Sequence, residues 1–182
     1  MTSFPKSALQ DAKLRQVYEA KDFGKKGYVD ASADFLTWGE KAAKINGVEL
    51  DEIGKENWTT AGNNFFADTK SYEEWVAHLT NFKEACPNYM DICAQTNITL
   101  FNAIDANRDG EVSKNEYTAF VRAIFPDISD EDIAYGFDAI DSNGDGILSQ
   151  EEISLACAHY YWDEDDTKFK HFYGKWKDDA TA

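Results

Sequence analysis

Methionine, proline and cysteine are scarce in this chain of 182 residues, numbering two, three and three. Met1 and Met90 are too few to line the pliable groove with which some proteins embrace varied partner helices. With so few prolines, long stretches are free to be helical. Cys86, Cys93 and Cys157 make an odd number, so no disulfide framework is expected and the thiols read as reduced structural groups. Basic residues are outnumbered, 18 Lys and Arg against 34 Asp and Glu, and the formal charge of -16 excludes nucleic acid and anionic membrane as general partners. No apolar run approaches the roughly 18 residues of a membrane span, and residues 1–10 lack the pattern of a secretory leader. The expectation is a soluble, cytoplasmic monomer. Zinc-ligand spacing, a phosphate-binding glycine loop and a nucleophile elbow are also missing, so no catalysis is expected.

What the chain has instead is rings. Its 12 Phe, 9 Tyr and 5 Trp are ample for a packed core, and its length suits one domain or two small lobes sharing a core. Leu9, Leu14, Val17 and Tyr18 recur at helical spacing over 7–21 before two glycines interrupt. Further helices are predicted over 33–45, 50–66 and 72–85, with a break at Pro87, and then over 89–104. Tyr117, Phe120, Val121 and Ile124 share the face of the next helix. Ser129, followed by Asp130, Glu131 and Asp132, sets a capped start for a helix lined by Ile133, Phe137 and Ile140. In the tail, Phe169, Phe172, Tyr173 and Trp176 fall on one stripe if the chain from about 167 is helical, with the acids at 163–166 capping it. The fold class is therefore all-α, a repeated helix-loop-helix unit divided into lobes 1–87 and 88–182.

Residues 105–116 read Asp-Ala-Asn-Arg-Asp-Gly-Glu-Val-Ser-Lys-Asn-Glu, the twelve-residue pattern of an EF-hand calcium loop. Asp105, Asn107 and Asp109 alternate so that their oxygens converge. Gly110 permits the sharp turn, Glu111 offers its backbone carbonyl, Ser113 acts directly or through water, and Glu116 closes the shell with two oxygens. Residues 141–152 repeat the design, with Asp141, Asn143, Asp145, the Ile147 carbonyl, Ser149 and Glu152 in the same roles. Val112 and Leu148 hold equivalent positions, where paired loops form a short antiparallel contact. Ser113 with Glu116 and Ser149 with Glu152 also spell the capping box of an ordinary helix start. That explains four residues and leaves the alternation of Asp and Asn ahead of each glycine unexplained. The expected cofactor is calcium, two ions per chain, with magnesium as a competitor that demands a tighter octahedron.

Residues 22–33 keep the loop frame without its chemistry. Gly27 and Val29 stand at the turn and hydrophobic positions, while Gly24, Lys26 and Ala33 replace ligands and the ammonium would repel an ion. Residues 63–75 retain only the Ser71 and Glu74 end of a loop, after Phe65, Phe66 and Ala67. Neither is expected to hold metal.

Four hands with degenerate early loops, intact later ones and the tail His171-Phe172-Tyr173-Gly174 resemble the sarcoplasmic calcium-binding protein superfamily. That superfamily includes luciferin-binding proteins and calcium-triggered photoproteins. The resemblance implies two lobes packed into a globule, with the C-terminal segment laid across an apolar interior. It implies a cytosolic calcium buffer or relay. It also implies an alternative, a calcium-dependent carrier of a hydrophobic heteroaromatic molecule of the coelenterazine type, with His159, Trp162 and Tyr173 as candidate cavity residues. A sensor binding a partner helix is the second alternative. Helix 7–21 has no histidine to match a photoprotein's second ligand set, and His78 and Phe82 stand where that pattern offers Tyr and Trp.

Overall fold

Seven helices open on a serine or aspartate whose side-chain oxygen accepts an amide of the first turn: Ser7, Asp30, Asp51, Ser71, Ser113, Ser129 and Ser149. The computed structural model describes residues 7–67, 71–89, 92–93, 97–163 and 168–175. In it the capped segments are α1 (Ala8–Lys21), α2 (Ala31–Ile45), α3 (Glu52–Phe66), α4 (Tyr72–Ala85), α6 (Lys114–Ile124), α7 (Asp130–Ile140) and α8 (Gln150–Trp162), with α5 (Ile98–Ile104) between them. The caps explain the small shifts from expectation, since Asp30 starts α2 two residues early and Asp51 delays α3. Of the helix predicted over 89–104, α5 and residues 92–93 are helical, while 90–91 and 94–96 lie outside the described residues.

Successive helices flank the four loops. α1 and α2 flank 22–33, α3 and α4 flank 63–75, α5 and α6 flank 105–116, and α7 and α8 flank 141–152. The last two loops join through one antiparallel bridge, in which the Val112 and Leu148 amides each donate to the other's carbonyl at 2.9 Å. Val112 and Leu148 are both fully buried, so the pairing is also a core contact.

One aromatic core runs through both halves of the chain. Trp38 of α2 stacks on Phe120 of α6 with ring centroids 4.7 Å apart, and its indole N–H donates to the Phe120 carbonyl at 2.8 Å. α1 docks on α8 by polar contacts as well. The Gln10 amide donates to the Tyr161 carbonyl and the Lys13 ammonium to the Asp163 carbonyl.

The tail departs from the predicted helix. A short 3-10 turn, Lys168–His171, leads into a bend at Gly174, whose φ of +93° few other residues adopt. Tyr117 Oη donates to the Phe172 carbonyl and the Lys175 amide to that of Asp132. A backbone tied to neighbouring helices cannot also complete its own helical ladder. Gly136 permits the approach, because a Cβ there would lie 2.6 Å from Gly174 Cα. Phe172 and Tyr173 are buried as expected, while Trp176 and the acids at 164–166 lie outside the described residues. Among the described residues no helix is long and apolar enough to cross a membrane.

Candidate functional site

In loop 105–116 the side chains of Asp105, Asn107, Asp109 and Glu116 are already held by the loop's own amides. Asp105 Oδ1 and Oδ2 accept from the Arg108 and Gly110 amides at 2.8 and 3.0 Å. Asn107 Oδ1 accepts from the Asp109 amide and Asp109 Oδ1 from the Glu111 amide. Glu116 folds back across the loop. Its Oε1 accepts from the Ala106 amide at 2.9 Å and its Oε2 from the Ser113 amide and hydroxyl at 2.9 and 2.7 Å.

Loop 141–152 repeats this geometry, with a further bond from the Ser142 hydroxyl to Glu152. Asp141 accepts from the Gly144 and Gly146 amides, Asn143 from Asp145, and Asp145 from Ile147. Glu152 accepts from the Ser142 and Ser149 amides and hydroxyls, all at 2.8–3.0 Å. Burial opposes ionisation of Glu152, yet these four bonds hold its carboxyl down to about 2. Asp105 goes the other way. Burial raises it, and the neighbouring charges of Glu116 and Asp109 add to the rise against the pull of two amides.

Both loops thus gather carboxylate, side-chain amide and hydroxyl oxygens, which is the donor chemistry of a hard divalent ion. Among the described residues no group of three or more His, Cys, Asp or Glu side chains converges closely enough to hold a metal. The reason is visible: Asp105 and Asp141 face amides, and each loop's neutral Asn and Ser oxygens complete the set. Loop 105–116 also carries a left-handed Arg108 at φ +62°, where loop 141–152 has Gly144 at +74°. The Arg108 guanidinium reaches across to Asp51 at the start of α3, 2.5 Å away.

In loop 22–33 a lysine pairs with the acids. Lys26 Nζ lies 2.6 and 2.9 Å from the two oxygens of Asp34, which is 3% exposed, and 3.7 Å from Asp22 Oδ1. Asp22 also accepts from the Lys26 and Gly27 amides, and Asp34 from the Asp30 amide. In residues 63–75, Ser71 and Glu74 form a capping box, and 68–70 lie outside the described residues.

A second feature is a cavity of about 330 Å³ walled by α3, α4, α5 and α8. Phe65, Leu79, Phe82, Leu100, Tyr161 and Trp162 supply most of its apolar wall, and Cys93, His78 and Asn97 its polar points. Trp162 lines it, its indole N–H donating to Cys93 Sγ at 3.1 Å. The other two candidate cavity residues lie elsewhere. His159 stacks on Phe169 with centroids 4.8 Å apart and bonds Asp163 Oδ2 at 2.8 Å. Tyr173 is buried against Phe120 and borders a separate groove of about 310 Å³.

The sequence model of the EF-hand family, described as "EF hand", matches residues 98–121 and 134–155. These two segments are EF hands. No curated protein matches the chain by sequence. Among solved structures, the calcium-loaded apo form of coelenterazine-binding protein from Renilla muelleri superposes with a TM-score of 0.79 at 20% identity, covering 93% of this chain and 99% of that one. Okadaic acid binding protein 2.1 superposes at 0.63 with 19% identity over 94% and 98%. Calcium-loaded apo-aequorin from Aequorea victoria gives 0.62 with 14% identity over 86% and 92%. At these identities the likeness is one of fold, and the superfamily resemblance drawn from the four loops holds at that level.

Beside the EF hands, the structure brings forward a residue that sequence reasoning passed over. Lys21 is 1% exposed, at the end of α1, and burial pulls its ammonium down to about 7. The signal was present: Leu14, Val17, Tyr18 and Lys21 fall at i, i+3, i+4 and i+7, on the buried stripe of α1. Tyr161, which walls the cavity and bonds Lys21, was missed for the same reason, being one more ring in an aromatic helix.

Proposed function

We propose that the protein is a calcium-binding carrier, holding two calcium ions in loops 105–116 and 141–152 and a hydrophobic heteroaromatic molecule of the coelenterazine type in the cavity beside α8. In this reading Asp105, Asn107, Asp109, the Glu111 carbonyl, Ser113 and Glu116 form one shell, and Asp141, Asn143, Asp145, the Ile147 carbonyl, Ser149 and Glu152 the other. Magnesium competes for the same oxygens. The observation that carries the carrier reading is the connection between the two features. Helix α8 begins at the Ser149 cap of the second loop and ends in Tyr161 and Trp162 of the cavity wall. An ion that draws in Glu152, in the first turn of α8, therefore acts on an element that shapes the cavity. At about 330 Å³ the space lies near the lower end for a small-molecule site, so a larger ligand needs some opening of its walls. The fold shared with a coelenterazine-binding protein supports the choice of ligand.

Coelenterazine titrated into the protein, followed by tryptophan quenching, tests this reading. Saturable binding of one molecule per chain is expected, with affinities that differ between excess calcium and chelator. Absence of binding under both conditions removes the carrier. Plain calcium buffering is the second reading, favoured by the rings packed around Lys21 that fill the interior beside Tyr173.

A further inference from the structure

Lys21 ends in a cluster that holds more donors than acceptors. Its Nζ lies 3.2 Å from Tyr161 Oη and 3.3 Å from Tyr173 Oη, and the two hydroxyls are 2.6 Å apart. An ammonium offers three N–H bonds and each tyrosine one O–H, five donors in all, yet the three contacts consume only three of them. Around Nζ stand the rings of Phe35, Trp38, Phe65, Phe66, Tyr161 and Tyr173, with centroids 4.8–5.7 Å away. Such faces attract a cation but accept no strong hydrogen bond. Among the described residues no carboxylate pairs with it. The titratable groups facing it are Tyr161 and Cys157 from α8 and Tyr173 from the tail, while α2 and α3 contribute only rings. Asp22, next in sequence, has its carboxylate turned to the Lys26 and Gly27 amides.

A buried charge without a counter-ion is costly, and proteins seldom keep one that pairs with nothing. The cluster adjoins the cavity through Tyr161, with Lys21 and Tyr173 set behind that wall. Phe65 and Tyr161 belong both to its wall and to the cage around Nζ. We infer that Lys21, with Tyr161 and Tyr173, is the recognition point for an acidic oxygen of the ligand, so that the cavity selects flat apolar molecules bearing an anionic oxygen over their neutral counterparts. This rests on the carrier reading and narrows it to a chemical class. The selectivity is local in origin, because a chain of formal charge -16 repels anions at long range. Protonation sets its pH range. Below about 7 Lys21 is an ammonium and attracts the anion; above, it becomes a neutral amine and the preference fades.

Two fluorescent probes that differ only in charge test the inference: anilinonaphthalenesulfonate and its uncharged parent, phenylnaphthylamine. Wild-type protein at pH 6 is expected to bind the anion at least about tenfold more tightly, with the ratio shrinking towards unity by pH 8.5. Lys21→Met is expected to bind both probes alike at every pH. Tyr161→Phe, which keeps the ring and the lysine, gives an intermediate ratio and serves if Lys21→Met does not fold. Binding of the neutral probe with no preference for the anion, or a preference that survives Lys21→Met or ignores pH, overturns the inference and leaves the carrier standing. Failure of both probes to bind also overturns the inference, and coelenterazine binding then decides separately whether the carrier stands.

Discussion

Loops 22–33 and 105–116 share a frame and differ in what balances their acids. In the later loop Asp105 and Glu116 accept from amides and a hydroxyl, and burial, with the charges of Glu116 and Asp109, raises the Asp105 carboxyl. In the earlier loop the fifth position carries Lys26, whose ammonium bonds both oxygens of Asp34. Asp34 is one residue beyond the loop's twelfth position, filled by Ala33. The difference is that loop 22–33 holds a buried acid with a tethered ammonium, while loops 105–116 and 141–152 hold theirs with amides and hydroxyls.

The comparison can be broken most severely at the closing glutamates. Glu116→Gln and Glu152→Gln, tested singly by calcium calorimetry, are expected to weaken their own loop by more than the 10–100-fold typical of losing an outer partner. Each should also weaken the other loop through the Val112 and Leu148 bridge. Independence of the two sites would show that the bridge carries no coupling. Removing calcium with a chelator comes next. At free calcium about a thousandfold above the dissociation constant, each occupied site adds roughly 4 kcal/mol of stability, which chelation takes away and a melting curve records. Loop 22–33 should be untouched, and hydrogen exchange there should not change.

Lys26→Met attacks the other side. It leaves the Asp34 carboxylate buried with only the Asp30 amide, an expected loss of about 3 kcal/mol with calcium uptake preserved. An unchanged denaturation midpoint would mean that the ammonium is ornamental. Lys21 sharpens the contrast, as a lysine of the same half with no carboxylate partner. Its folded pKa lies below its unfolded one, so between about 7 and 10.5 the unfolded chain holds a proton that the folded chain lacks. Stability should therefore rise with pH across that window, by at most about 1.4 kcal/mol per pH unit relative to Lys21→Met, and be flat below it. Parallel profiles for the two proteins would refute the buried-amine description. Smallest is Arg108→Ala, which removes an exposed ion pair to Asp51 and should leave the denaturation midpoint nearly unchanged by the same measurement.

The fold was largely legible because its signals are local. Ser71 and Glu74, Ser113 and Glu116, and Ser149 and Glu152 announce helix starts within four residues, and α4 runs over the predicted 72–85. The frames of the two later loops were legible for the same reason: Gly110 and Gly146 make the turns, and Val112 and Leu148 make the pairing, that their spacing predicts. What could not be read depends on long-range packing. The tail stripe presumed a helix, but Tyr117 and Asp132, far away in sequence, take its backbone bonds. His159 and Tyr173 were grouped with Trp162 by spacing, yet His159 leans on Phe169 and Tyr173 on Phe120. Lys21 sat in plain view on an apolar stripe, and only the convergence of rings from α2, α3, α8 and the tail gives it meaning.

Calcium stoichiometry by calorimetry on the chelator-stripped protein puts the contrast between early and late loops to its most direct trial. Two ions per chain are expected, both abolished when Glu116 and Glu152 are changed together to Gln. Uptake of a third ion, or uptake that survives the double change, would contradict it.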